Sequence, residues 1–217
     1  YRTSPHVTVT AIASDCLRQG FYRLLHPERE RLRLSDKRRF ALGKLWHGVR
    51  VLNAVKELRL TWERIAGVVD EYGVVYVPDE DAVYYVLLEK KFGNYPPDKS
   101  EPNMEHVRQA LYYYALMKLY GYRVDVIAIL YDNPSRYDYE PKVFLVRQEP
   151  VERLLEEMRI RAEIILDALE GRTYLPDKYE GWRCERCAYR DLCLRGLRGD
   201  RRDPSIVSFV AEEVDGV

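Results

Sequence analysis

The chain has 217 residues, enough for one domain, or one domain with a small appendage, that buries a real core without needing disulfide or metal staples. Its 35 basic and 35 acidic side chains cancel to zero net charge, which excludes a whole-molecule basic footprint and confines any nucleic-acid contact to local patches. Hydrophobic residues make up 47%, yet no apolar run approaches the ~20 residues that cross a bilayer and no charged-then-apolar signal opens the sequence, so the expectation is a soluble, cytoplasmic protein.

Charged residues reach 32% while Asn and Gln together number seven, a balance found in proteins that resist heat. In chain order, Ser14 is placed to cap a first helix carrying Cys16, Leu17, Phe21 and Tyr22, which Pro27 ends. A charge-rich connector follows, with Arg29, Arg31, Arg33, Lys37, Arg38 and Arg39 as one local basic stretch. From about 38 to 58, Leu42, Leu45, Trp46, Val49, Leu52 and Val55 keep helical spacing and predict a long amphipathic helix containing His47.

Residues 63 to 92 are rich in Val and Tyr, with turn punctuation at Glu71–Gly73 and Pro78–Asp81, and predict an antiparallel meander. Met104 to Tyr120 returns to helix and ends at Gly121. A strand at about 124–131, a loop with Asn133, Pro134 and Ser135, and a strand at 143–147 follow. Pro150 to Glu170 reads as a charged amphipathic helix stopped by Gly171. The series predicts an α/β core with a mixed sheet. Three parts are expected: residues 1–35, a core over 36–170, and a cysteine-bearing region over 171–217.

Four cysteines are present, Cys16 near the start and Cys184, Cys187 and Cys193 in the run WRCERCAYRDLC. A Cys-x-x-Cys turn brings two thiolates onto one cation, a third follows within reach, and Cys16 is the remaining thiol able to complete a tetrahedral set. Thiolates select zinc or an iron-sulfur cluster, and the spacing does not choose between them. The bland alternative is two disulfides or unrelated buried thiols. The same tail carries Arg183, Arg186, Arg190, Arg195, Arg198, Arg201 and Arg202 with Trp182 and Tyr189, a second local patch whose bland reading is a solvated charged face.

In the strand region Asp70 follows Gly67, and Glu89 and Lys91 share one face of a later strand while Lys90 points away. Two carboxylates and an imidazole suit Mg²⁺ or Mn²⁺, and an adjacent lysine can orient a water or stabilise charge developing on a phosphate. That is the chemistry of phosphodiester hydrolysis. Glu-x-Lys alone is a common exposed strand pair, and a lone helical His is more often a satisfied polar residue.

The order of the parts carries more than any one of them. Gly43-x-x-x-His47, Gly67-x-x-Asp70, Glu89-x-Lys91 and Gln109-x-x-x-Tyr113, flanked by Cys16 and by Cys184, Cys187 and Cys193, resembles the CRISPR-associated RecB-like exonuclease family with a four-cysteine cluster. The resemblance spans about residues 14–195. It implies a restriction-endonuclease-like core acting on DNA, usually as a 5′ to 3′ exonuclease on single strands, trimming fragments before their insertion into a CRISPR array beside other adaptation proteins. It further implies a metal set of His47, Asp70 and Glu89 with Lys90 beside them, Lys91 as the catalytic lysine, and Gln109 and Tyr113 positioning the site or the DNA. The cysteines would hold a cluster, usually 4Fe-4S. Asp79 and Asp81 lie within the interval from Asp70 to Glu89, but they follow Pro78 in a turn, so Asp70 is the preferred acidic ligand. The competing function is a non-catalytic DNA-binding module whose zinc or iron-sulfur site shapes an arginine- and aromatic-rich tail for stacking on single strands.

Overall fold

The structure is a computed structural model that describes residues 6–27, 41–45, 47–49, 51–52, 54–93, 100–133, 140–176, 184–185 and 187–195. The chain divides into two compact units, Tyr1–Arg31 with Glu157–Val217, and Leu32–Glu156.

The second unit is built on a mixed sheet. A helical segment, α3, covers residues 41–45 and 47–48. Strand β2 (Ala54–Trp62) turns at Glu63 and Arg64 into β3 (Ile65–Val77), and the two pair antiparallel from Ala54↔Gly73 to Trp62↔Ile65. Glu63 meets the tight reversal with a left-handed φ of 51°. Strand β3 continues into β4 (Ala82–Phe92) through a single 3₁₀ turn at Pro78–Glu80, where Pro78 supplies the fixed φ and Asp81 the left-handed residue. Helix α4 (Met104–Leu119) then crosses over, and β5 (Val126–Asp132) pairs parallel with β4, as a crossover connection permits. Strand β6 (Lys142–Val146) closes the order β2-β3-β4-β5-β6 as an antiparallel partner of β5.

Central β4 is buried on both faces from Val86 to Lys90. One face carries Val86 and Leu88 against Ala128 and Leu130 of β5, with Leu52, Val75, Tyr84, Phe92 and Val126 packed around them. At about 2 kcal/mol for each fully buried large aliphatic side chain, this cluster holds the parallel pair together. Helix α4 is capped by Asn103, whose Oδ1 accepts the Glu105 N–H at 2.9 Å, and it ends at Tyr120 before Gly121 at φ +80°. Its residues Gln109–Met117 are all buried.

The first unit holds a two-residue strand β1 (Val7–Thr8), helix α1 (Val9–Ala13), α2 (Leu17–Leu25), the greater part of α5 (Val151–Leu169) and α6 (Arg190–Arg195). A Cβ on Gly20 of α2 would sit 3.2 Å from both Ala11 Cβ and Ile165 Cδ1, so these helices approach closely where glycine stands. The Arg161 guanidinium donates to the main-chain carbonyls of Ile12 and Ser14, satisfying the end of α1. Buried Tyr22 and Tyr189 stack at 6.0 Å. No helix among the described residues is long and apolar enough to cross a membrane.

Three local expectations are corrected. The long helix over 38–58 is not formed: helix occupies 41–45 and 47–48, and Ala54–Leu58 belong to β2. Leu45, Val49 and Val55 of its presumed apolar face are exposed, and the ladder to β3 overrides the spacing because β-branched Val55 and its alternating neighbours suit a pleated strand. The turn at Glu71–Gly73 does not exist either, since β3 runs unbroken through it with Glu71 paired to Leu88. Finally, Ser14 caps the C-terminus of α1, and Cys16 is the N-cap of α2. The α/β class with a mixed sheet, the helix from Met104, the helix expected over Pro150 to Glu170 and found at Val151–Leu169, and the turn after Pro78 are as expected.

Candidate functional site

The register of β3 and β4 sorts their polar residues onto two faces. Glu71 opposes Leu88 on the apolar face, so by alternation Asp70, Glu89 and Lys91 lie on the other. Asp70 stands where the β3–β4 ladder stops, and its Oδ2 accepts the Lys90 backbone N–H at 2.7 Å in place of a further main-chain bond. Its Oδ1 lies 3.0 Å from Nδ1 of His47, brought there by α3. The Gly43 position of that segment runs over Phe92, with an added Cβ only 3.6 Å from the Phe92 Cβ. Asp70 and His47 are partly open, their side chains 17% and 35% exposed, so a solvent-borne group can reach this pair.

Glu89 is 2% exposed. Its Oε1 accepts from Lys91 Nζ at 2.6 Å, and its Oε2 is buried with no hydrogen-bond partner. Burial pushes its carboxyl pKa from 4.5 up to about 7, outweighing the Lys91 ammonium, while the charge of Asp70 adds to the rise and His47 opposes it. Lys91 also donates to Gln109 Oε1 at 2.8 Å, and Gln109 Nε2 donates to the Tyr113 hydroxyl at 3.3 Å. Gln109 and Tyr113 are one turn apart on α4, so their i, i+4 spacing aims both at the sheet. Thus His47, Asp70, Glu89, Lys91, Gln109 and Tyr113 converge from α3, β3, β4 and α4. Asp79 and Asp81 do not join them. They lie at the opposite end of the β3–β4 hairpin, where Asp81 Oδ1 accepts the Tyr76 hydroxyl at 2.8 Å.

Lys90 is wholly buried on the apolar face, where its Nζ donates to Glu71 Oε1 at 3.0 Å and to the Val49 carbonyl at 2.6 Å. Glu71 was not foreseen. The available signal was its position one residue out of phase with Asp70, matching that of Lys90 in the otherwise apolar row Val86, Leu88, Phe92.

In the first unit all four cysteines are of intermediate exposure and none is joined in a disulfide. The Cys187 thiol is pushed up chiefly by burial and further by the charges of Cys16, Cys184 and Cys193, so each of those three lies within electrostatic reach of Cys187. An Arg18 guanidinium nitrogen lies 3.7 Å from Cys193 Sγ, and its Nε donates to the Pro176 carbonyl at 2.6 Å. No group of three or more His, Cys, Asp or Glu side chains among the described residues is already arranged as a metal-holding set. The donor chemistry nonetheless suits two different guests: a buried carboxylate oxygen without a partner beside Asp70 and His47, and four unbridged thiols. Of the arginine-rich tail, Arg190 and Arg195 fall in α6, whereas Trp182, Arg183, Arg186, Arg198, Arg201 and Arg202 lie outside the described residues, as do the early Arg29, Arg31, Arg33, Lys37, Arg38 and Arg39.

The chain resembles known proteins both in family and in fold. The model of the PD-(D/E)XK nuclease superfamily matches residues 5–194. Among solved proteins, the crystal structure of SSO0001 is similar over 93% of this chain and 89% of that one, at 15% identity and a TM-score of 0.51, a likeness of fold. No curated protein matches the chain.

Proposed function

Because the chain belongs to the PD-(D/E)XK nuclease superfamily, whose members hydrolyse nucleic-acid phosphodiesters with a divalent metal, we propose that it is a DNA exonuclease using Mn²⁺ or Mg²⁺ at His47, Asp70 and Glu89. The observation that carries the reading is the Glu89 Oε2 atom, buried without a partner beside the Lys91–Gln109 hydrogen bond. A buried acceptor left unmatched costs of the order of 1–3 kcal/mol, which a bound cation would recover.

When bound, the cation supplies Lewis acidity toward a phosphoryl oxygen and a more acidic water. Asp70, with one oxygen facing His47 and the other anchored by the Lys90 N–H, is held as a ligand. Lys90 enters the metal set only through its main chain, since an ammonium cannot ligate and its side chain is committed to Glu71. Lys91 holds its ammonium between Glu89 and Gln109, where it can orient the attacking water and offset charge developing on the phosphate. Gln109 and Tyr113 keep that ammonium in place.

The finer parts of the reading rest on the ordered motif with its flanking cysteines. They are single-stranded DNA as substrate, 5′ to 3′ polarity, trimming of fragments for CRISPR spacer acquisition with other adaptation proteins, and a cytoplasmic setting. The four thiols would hold an iron-sulfur cluster, 4Fe-4S by the same resemblance. Three parts of the chain are proposed accordingly: residues 1–35 supplying Cys16, a nuclease core over 36–170, and a cluster region over 171–217.

The test is cleavage of single-stranded oligonucleotides labelled at either end, with Mn²⁺, Mg²⁺ or a chelator, beside a circular single strand. Metal-dependent loss of mononucleotides from the 5′ end, with the circle intact, is expected. Binding without cleavage under every metal would overturn it in favour of a DNA-binding module. The absorption of anaerobically purified protein near ~400 nm separates iron-sulfur from colourless zinc.

A further inference from the structure

The apolar face of the sheet contains a fully buried ion pair, Glu71 with Lys90, each 0% exposed at the side chain. Burying two ions costs several kcal/mol apiece before their attraction is counted, and an apolar pair of similar volume is often as stable or more so. Stability alone therefore gives little reason for charges here. What an apolar pair could not supply is the set of hydrogen bonds these two make to one short stretch of main chain.

Both Glu71 oxygens accept the Val51 N–H at 3.0 Å, and Oε2 also accepts the Leu52 N–H at 2.8 Å. Lys90 Nζ donates to the Val49 carbonyl at 2.6 Å while holding Glu71 Oε1 at 3.0 Å. Val51 and Leu52 are thus gripped at their N–H groups and Val49 at its carbonyl. Val49 stands two residues after His47, at the end of α3. The gripping residues are the immediate neighbours of the opposite-face site: Glu71 follows Asp70 on β3, and Lys90 lies between Glu89 and Lys91 on β4. Val49 and Val51 are half exposed, so apolar packing holds these residues only through Leu52, which lies against the Val86, Leu88, Ala128 and Leu130 cluster.

We propose that Glu71 and Lys90 are positioning residues that fix His47 against Asp70, a buried clamp on one face of the sheet setting the geometry of the metal site on the other. The inference rests on the nuclease reading of that site. The clamp acts through His47: loosening it lets α3 drift, and Asp70 loses the partner that holds Oδ1 in place. Glu89 and Lys91, fixed by β4 itself, remain in position.

The full chain carrying Glu71→Leu with Lys90→Met tests this, because the apolar exchange is expected to fold. Val51→Pro, which deletes the N–H that both Glu71 oxygens accept while sparing the buried pair, is the second variant. Each is expected to keep its thermal transition, to lose kcat about 10- to 100-fold as outer contacts to a metal site do, and to need roughly tenfold more Mn²⁺ for half-maximal cleavage. KM for DNA should stay within about twofold of the parent in both, on the same grounds. The discriminating readout is the His47→Ala substitution made in each background. It should cost roughly 100-fold in the parent and only the remainder of that factor, about tenfold or less, when the clamp is already gone, since groups acting as one unit are non-additive. Folded variants in which His47→Ala still costs its full factor, or in which kcat and Mn²⁺ demand match the parent, overturn the clamp. The nuclease site fails separately, and visibly, if Glu89→Ala in the parent background cleaves at the parent rate.

Discussion

Lys91 Nζ lies 2.6 Å from Glu89 Oε1, two residues apart on one face of β4, and the same ammonium reaches Gln109 Oε1 on α4. An ion pair made within one strand leaves the second Glu89 oxygen facing away from the lysine, buried and unmatched. In the proposed nuclease reading the two side chains would divide the work of a phosphodiesterase between them, one offering oxygen to a cation and the other a fixed positive charge.

Lys91→Ala should reduce cleavage by about 10²–10³-fold, the scale for removing one electrostatic stabiliser of a transition state, while Mn²⁺ affinity is retained because an ammonium is no ligand. Gln109→Leu should cost less, about 10-fold, as it acts by holding Lys91. Single-turnover rates with Mn²⁺ binding measured in parallel check both. Loss of Mn²⁺ binding in Lys91→Ala would remove the lysine from its assigned role.

Glu89 also makes a prediction for metal-free protein. Its pKa is raised by burial from 4.5 to about 7, so it binds its proton more tightly folded than unfolded. The associated stability is fully present below about pH 4.5 and is lost as pH rises through about 7. The shift corresponds to a contribution on the order of 3 kcal/mol. Denaturant midpoints in chelator should fall between pH 5 and pH 8 in the parent and fall much less in Glu89→Gln. Equal pH dependence in the two would show that Glu89 is not the group responsible.

Much of this arrangement was legible in the sequence, and the exceptions share a cause. His47, Asp70, Glu89, Lys91, Gln109 and Tyr113 could be named because their order along the chain resembles that of the RecB-like exonuclease family, and the structure brings these six together. Strand β2 was hidden because Leu52, Val55 and Leu58 also fall at i, i+3 and i+6. Only pairing with β3, through Leu58↔Val69 and its neighbours, selects the extended form. Gly73 looked like a turn, yet it lies within the β3–β4 ladder opposite Val86. The Glu71–Lys90 pair was half legible: alternation turns Lys90 away from Glu89 and Lys91, but the turn expected at Glu71–Gly73 hid its partner, which the register sets on the same apolar side.

For the cysteines, Cys16→Ala should bleach anaerobically purified protein, remove its iron and lower its thermal midpoint by roughly 5–10 °C, on the scale where 1 kcal/mol moves the midpoint a few degrees. The gathering of Cys16, Cys184 and Cys193 around Cys187 motivates this. Undiminished colour and iron in the variant would exclude Cys16 from the set.

The arginine-rich tail predicts a salt effect. Replacing Arg186, Arg190 and Arg195 together with Gln should weaken single-stranded DNA binding and reduce the slope of log K against log salt by about 2 units, at ~0.7 per phosphate contact. Fluorescence anisotropy across a salt series measures it, and an unchanged slope would return the tail to a solvated surface.

The most direct measurement is the cleavage rate of Glu89→Ala beside the parent protein on a labelled single-stranded oligonucleotide under saturating Mn²⁺. The proposed hard ligand set of His47, Asp70 and Glu89 is separate in residue and chemistry from the four soft thiols proposed to hold a cluster, so the variant should lose cleavage by at least about 10³-fold while keeping the parent's absorption, iron content and fold. Cleavage at the parent rate by folded Glu89→Ala would contradict the proposed catalytic site.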